Sequence, residues 1–225
     1  MLKHFAPFVV KPKFNKTILI DLFKVSLPLQ IPVYLDTKLL TASIGLIILS
    51  TQGDKALGIY AMALTLSGFL MIFSRSLNQI ISTKITLKYG SNDSIKETFY
   101  AVIKPIIGLS LVGVLLIIIF IITIDPAVSY FLPKYVDSIL IAQVFALDLV
   151  LSLVRTPFTL FISSLMYKSL IIQRVLKVLI TFLLLFLFHD SLVQIAIVLI
   201  TADFLNVLYG YFVIYKVIKH EQNKS

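Results

Sequence analysis

Three acids, Asp36, Asp148 and Asp203, and three bases, Lys38, Arg75 and Arg155, stand inside long apolar stretches of this sequence. A charged group at the centre of a membrane span costs about 2.5–3.5 kcal/mol on insertion scales, so each must face protein or a water-filled cavity. The bases are candidates to line a cavity, and the acids to balance them. Around Arg75 the residues Asn78, Gln79 and Ser82 follow at i+3, i+4 and i+7, and Ser67 and Gly68 continue the same polar stripe two turns earlier. Asp36 and Lys38, two residues apart, project from nearly opposite sides of a helix and must find partners on other elements. Asp148 and Arg155 at i, i+7 share a face two turns apart, a spacing read as lining one surface without a direct salt bridge.

The elements that must hold these residues are membrane helices. Hydrophobic residues make up 59% of the chain and charged ones only 14%, against about 25% charged in a soluble domain. The expected fold is an all-α integral membrane bundle forming a single domain over 1–225. Six transmembrane helices are expected at about 26–50, 57–83, 104–124, 138–166, 174–188 and 192–215. A basic cytoplasmic lead-in covers 1–24 and a cytoplasmic tail 216–225. Pro28 and Pro32 predict a kink or unwound turn in the first span, and Pro157 another in the fourth; all three are hinge candidates. Ser94 and Glu97 form a capping box that predicts a surface helix ending before Pro105, and 125–137, with two prolines, reads as a loop. Lys168, Arg174 and Lys177 read as the charged entrance to an uncharged fifth span.

Charge placement orients the bundle. Of the 20 Lys and Arg, Lys38, Arg75 and Arg155 fall within spans and Lys55 and Lys134 on one side. The others fall on the opposite side, which the positive-inside rule makes cytoplasmic, with both termini. The net charge of +9 thus flanks apolar runs instead of forming a nucleic-acid patch. The chain lacks cysteine, and His4, His189 and His220 are scattered with no metal-ligand spacing and no nucleophile beside a base. Neither an enzyme nor a metal or other cofactor is expected.

The succession KPKFNKTILIDLFKVSLPL, then Asp36 and Lys38, then LGIYAMALTLSGF and SRSLNQIISTKITLKYG, resembles the second half of bacterial polysaccharide-biosynthesis membrane proteins. These are the lipid-linked oligosaccharide flippases of the multidrug/oligosaccharidyl-lipid/polysaccharide exporter superfamily. FLPKYVDSI and YKSLIIQRVLKVLI are similar to that family's later segments, so the resemblance covers about 10–219. It implies one lobe of a two-lobed flippase in the cytoplasmic membrane, passing a lipid-linked glycan by alternating access. Lys38, Arg75, Asn78, Gln79 and Arg155 would line the cavity toward a phosphorylated headgroup, and Asp36, Asp148 and Asp203 would balance the cations or bind the proton or sodium ion that drives transport. It also implies membrane lipids and a second lobe as partners, either another copy or a separately encoded N-terminal half. An antiporter for cations or drugs in the same superfamily, a non-transporting membrane subunit and a truncated remnant are the alternative expectations.

Overall fold

The computed structural model describes residues 16–222. The segments 1–15 and 223–225, with the basic residues expected there to orient the bundle, lie outside the described residues. The helices follow in chain order as α1 (Lys16–Tyr34), a π-helical turn (Leu35–Leu39), α2 (Leu40–Asn92) and α3 (Ile95–Phe131). A 3-10 segment (Pro133–Ser138) leads to α4 (Ile139–Ala146) and α5 (Asp148–Val154), and a second (Thr156–Phe158) to α6 (Thr159–Ser163), α7 (Tyr167–Leu187) and α8 (Leu192–Gln222). No strand occurs among the described residues. Five stretches are long and apolar enough to cross a membrane: Leu35–Asn92, Ile95–Phe131, Pro133–Val154, Tyr167–Leu187 and Leu192–Gln222. Their outer faces are apolar, as on α3, where Leu111, Leu115 and Ile122 are 67%, 57% and 68% exposed. Such faces are compatible with a multi-pass membrane protein.

Helix α2, at 53 residues, would measure about 80 Å as a straight rod, against ~30 Å of hydrocarbon. It is broken at Gly53 (φ 82, ψ −179), a conformation open essentially to glycine alone. The chain folds back there. A β-carbon on Gly45 would lie 3.9 Å from Leu57, whereas twelve residues of unbroken helix span about 18 Å. Leu40, Ile44 and Ile48 accordingly share a core with Ile59, Tyr60 and Ala63.

Several boundaries differ from expectation. The backbone stays helical through Pro28 and Pro32, and the irregularity comes just after them as the π turn that carries Asp36 and Lys38. Helix α3 runs without interruption through Pro105 and Pro126, so the separate surface helix and the loop beginning at 125 are one helix with the third span. Each proline removes a single donor, and in a long apolar helix that local loss is tolerated. The start of α3 is doubly held: Ser94 Oγ accepts from Glu97 N (3.3 Å), and the Glu221 carboxylate of α8 accepts from Ile95 N (3.3 Å) and Lys96 N (3.2 Å). The fourth span is several short pieces, with Pro157 opening the 3-10 segment where a kink is expected. Helix α7 begins at Tyr167 and α8 continues to Gln222, each longer than the sequence suggests.

Apolar packing concentrates at the two ends of the bundle. One core joins Ile48, Ala63, Phe145, Leu185 and Ile195 near the Gly53 turn. The other joins Ile85, Val102, Phe161, Leu170 and Ile214 toward the opposite end. Between them lie a third, smaller apolar cluster around Ile117, Ala146 and Leu149 and a set of polar side chains that the helices present to one another.

Candidate functional site

The π turn sets the first of these side chains. It adds a residue to the helical turn, and Asp36 is buried (6% exposed) against α7 while Lys38 is exposed. Asp36 receives Lys177 Nζ at 2.8 Å and is also paired with Arg174. Lys177 reaches Asp203 on α8 at 2.9 Å, Asp203 receives Arg155 at 2.8 Å, and Arg155 reaches Asp148 at 2.7 Å. The result is one alternating chain, Arg174, Asp36, Lys177, Asp203, Arg155, Asp148, stitching the π turn, α7, α8 and α5 together. Three positive and three negative groups cancel within it. Such a set holds only when complete, because removing one member strands a desolvated charge.

The Asp148–Arg155 contact corrects the expectation that two turns are too far for direct pairing. The rise between them is about 10.5 Å, but a long helical side chain leans toward the N-terminus of its helix. That lean carries the guanidinium back over Ser152 to Asp148, while its other nitrogen takes Asp203.

The second feature is a hydroxyl ladder. Ser74, Asn78, Ser82 and Thr86 recur every four residues on one face of α2 and meet the broken fourth span. Ser74 Oγ lies 2.7 Å from Ser152 Oγ, and Asn78 Nδ2 donates to the same hydroxyl at 2.9 Å. Thr156 donates to Asn78 Oδ1. Ser82 pairs with Thr159 at 3.1 Å and Thr86 with Ser163 at 3.2 Å. The short helices give the hydroxyls of α5 and α6 the offset needed to meet a regular α2.

Ion-pair chain and ladder wall a cavity of about 650 Å³. Of the lining candidates, Arg75, Asn78 and Arg155 stand along it, together with the three aspartates Asp36, Asp148 and Asp203. Lys38 and Gln79 do not; both are exposed. Pro157 is buried next to the lining residues Thr156 and Phe158. Arg174 and Lys177, read from sequence as an entrance to the fifth span, stand inside the cavity wall and belong to the ion-pair chain. Their i, i+3 spacing within an apolar helix is the signal that identifies them. Gln173 and Asn206, both buried, complete the wall.

Arg75 differs from the other cations of the cavity. It is exposed, lines the space and, among the described residues, forms no ion pair. With the six other charges cancelled, it leaves the lining with one net positive charge. The wall also holds two buried polar atoms without a hydrogen-bond partner, Arg174 Nε and Asn206 Oδ1, one a donor and one an acceptor. A polar chamber with one free guanidinium is suited to an oxyanion such as a phosphoryl group. No group of three or more histidine, cysteine, aspartate or glutamate side chains suited to a metal occurs among the described residues.

On the other side of the same two helices the chemistry reverses. Leu147, Val150 and Leu151 beside or on α5, and Ile200 and Phe204 on α8, line an apolar groove of about 450 Å³ with Ile117 of α3. Helices α5 and α8 are thus shared walls, polar toward the cavity and apolar toward the groove. Comparisons with protein-family models, curated proteins and solved structures find no match to this chain.

Proposed function

We propose that the chain is one half of an alternating-access transporter that flips a lipid-linked oligosaccharide or polysaccharide precursor across the cytoplasmic membrane. The observation that carries the reading is Arg75, a cation without an ion-pair partner among the described residues, facing a polar cavity. A cation at that depth is costly unless something uses it, and a phosphoryl headgroup is a ligand that matches its charge and geometry. The apolar groove behind α5 and α8 supports the lipid part of the same substrate. The reversal at Gly53, which divides the first of the five apolar stretches, is compatible with the six crossings of this reading, and the placement of the lysines and arginines supports cytoplasmic termini. The exposed rim residues Thr37, Thr41 and Arg75 are polar, and a second lobe would cover them, supplied either by another copy or by a separately encoded half.

A second reading, a non-transporting membrane subunit, is favoured by the self-compensation of the ion-pair chain, which is also what a structural staple would display. Reconstitution decides between them. The complex purified through a tag on this chain is placed in liposomes with an isoprenyl-pyrophosphoryl disaccharide, and translocation is followed by enzymatic labelling of the outward-facing sugar. The transport reading expects a two-lobed complex whose flipping is lost in Arg75→Ala with unchanged thermal stability. A lone 25.3 kDa species with no flipping overturns it.

A further inference from the structure

At the end of the bundle remote from Gly53, α3 and α8 run antiparallel, tied by Glu221 to the first backbone amides of α3. Just inside that tie a groove of about 390 Å³ opens on the outer surface, walled by Phe99, Tyr100, Tyr211, Tyr215 and Ile218, with Lys219 at its polar end. Its floor is fixed: the Tyr211 hydroxyl donates to Val154 O (2.9 Å) and its ring packs edge-on against Phe99 at 6.0 Å. Its mouth is open, since Tyr100 and Tyr215 are 57% and 64% exposed.

The charge around this groove is unbalanced. Lys96, Lys104, Lys216 and Lys219 all lie on these two helix ends. The two glutamates on these helix ends accept from neutral groups, Glu97 from Asn92 Nδ2 at 2.6 Å and Glu221 from the amides of Ile95 and Lys96, so four lysines face two carboxylates and the excess is positive. Lys216 is drawn over the Phe212 ring at 4.7 Å, leaving Lys219 as the cation at the groove. Aromatic walls suit an acyl chain, tyrosines and lysine suit the headgroup level, and basic pockets between membrane helices receive anionic headgroups.

We propose that this groove binds one anionic phospholipid, its acyl chain against Tyr100, Tyr211 and Tyr215 and its phosphate at Lys219. A free phosphate would use the lysine and leave the aromatic walls empty, so the lipid is the occupant that accounts for both. The site is separate from the cavity, and the proposal requires only that the chain lie in a membrane.

The test uses the full chain, delipidated in detergent and offered phosphatidylglycerol, phosphatidylcholine or glycerol 3-phosphate, with lipid retention read by native mass spectrometry. Phosphatidylglycerol is expected to be retained in preference to phosphatidylcholine. Lys219→Gln should weaken that retention about fivefold, the share of one lysine near an anionic surface, and Lys219→Arg should restore it. Tyr100→Ala should weaken it with the charge intact. Helical content and monodispersity of each variant, checked by circular dichroism and size-exclusion chromatography, separate loss of the site from loss of the fold. Equal retention of both lipids, or retention unchanged in Lys219→Gln and Tyr100→Ala, overturns the proposal. Binding of glycerol 3-phosphate as tight as that of the lipid also overturns it, in favour of a free-phosphate site. A chain that stays soluble without detergent overturns the membrane placement itself.

Discussion

Among single residues, the two cavity arginines should behave in opposite ways. Arg155 bridges Asp148 and Asp203, so Arg155→Ala strands Asp148 and leaves Asp203 to Lys177 alone, and should destabilise the protein by about 3–5 kcal/mol, read as a large drop in melting temperature in detergent. Arg155→Lys keeps the charge but not the fork, and should recover only part of that loss. Arg75→Ala removes no ion pair and should leave the melting temperature nearly unchanged while abolishing ligand binding. Equal melting shifts in the two alanine variants would contradict this division. Gly210 gives a third case. A β-carbon there would clash with the Phe158 ring and stand 2.8 Å from Gln173. Gly210→Ala should therefore cost about 1–3 kcal/mol by overpacking, and Phe158→Leu in the same chain should relieve part of it. Charges inside apolar runs were legible in the sequence because nothing but function or pairing accounts for them. Which charges pair was not legible, since pairing depends on how α7 and α8 face each other. Arg174 and Lys177 stood too near a predicted span end to be read as interior, and Lys38 is exposed because Asp36, on the opposite side of the turn, is the residue that faces α7.

For whole elements, the reversal at Gly53 and the ladder between α2 and the broken fourth span are the features open to test. No atom lies within 4 Å of a β-carbon at Gly53, so Gly53→Ala meets no steric neighbour and its effect reports the backbone alone. A cost of about 1–3 kcal/mol is expected for an alanine held in that region, measured by thermal or denaturant unfolding. Asn78→Leu removes a donor to Ser152 and an acceptor for Thr156 at once, and should cost about 1 kcal/mol, within the range of interhelical hydrogen bonds in membranes. Helix existence was legible from long apolar runs, and the cap at Ser94 from its spacing to Glu97. The continuity of α3 was not. A proline marks where a helix is weakened, but whether the chain breaks there depends on packing that composition does not record.

For the molecule as a whole, the polar cavity and a small third apolar cluster sit between two larger apolar cores. The cancellation inside the ion-pair chain has an electrical consequence. Moving one elementary charge through a potential of 100 mV changes its energy by about 2.3 kcal/mol. Six groups that sum to zero feel almost no net force from that field, and Arg75 alone gives the lining a handle for it. A bound monoanionic phosphate diester would neutralise even that, so the loaded cavity would be electrically silent, whereas a pyrophosphate-linked cargo would reverse its sign. If the cavity carries such cargo, the current with a monophosphoryl lipid would arise wholly from the return of the empty cavity with Arg75, whereas a pyrophosphoryl lipid would make the loaded step itself move charge. Pre-steady-state currents on a supported membrane should then show a loaded-step component with pyrophosphoryl lipids and none with monophosphoryl ones.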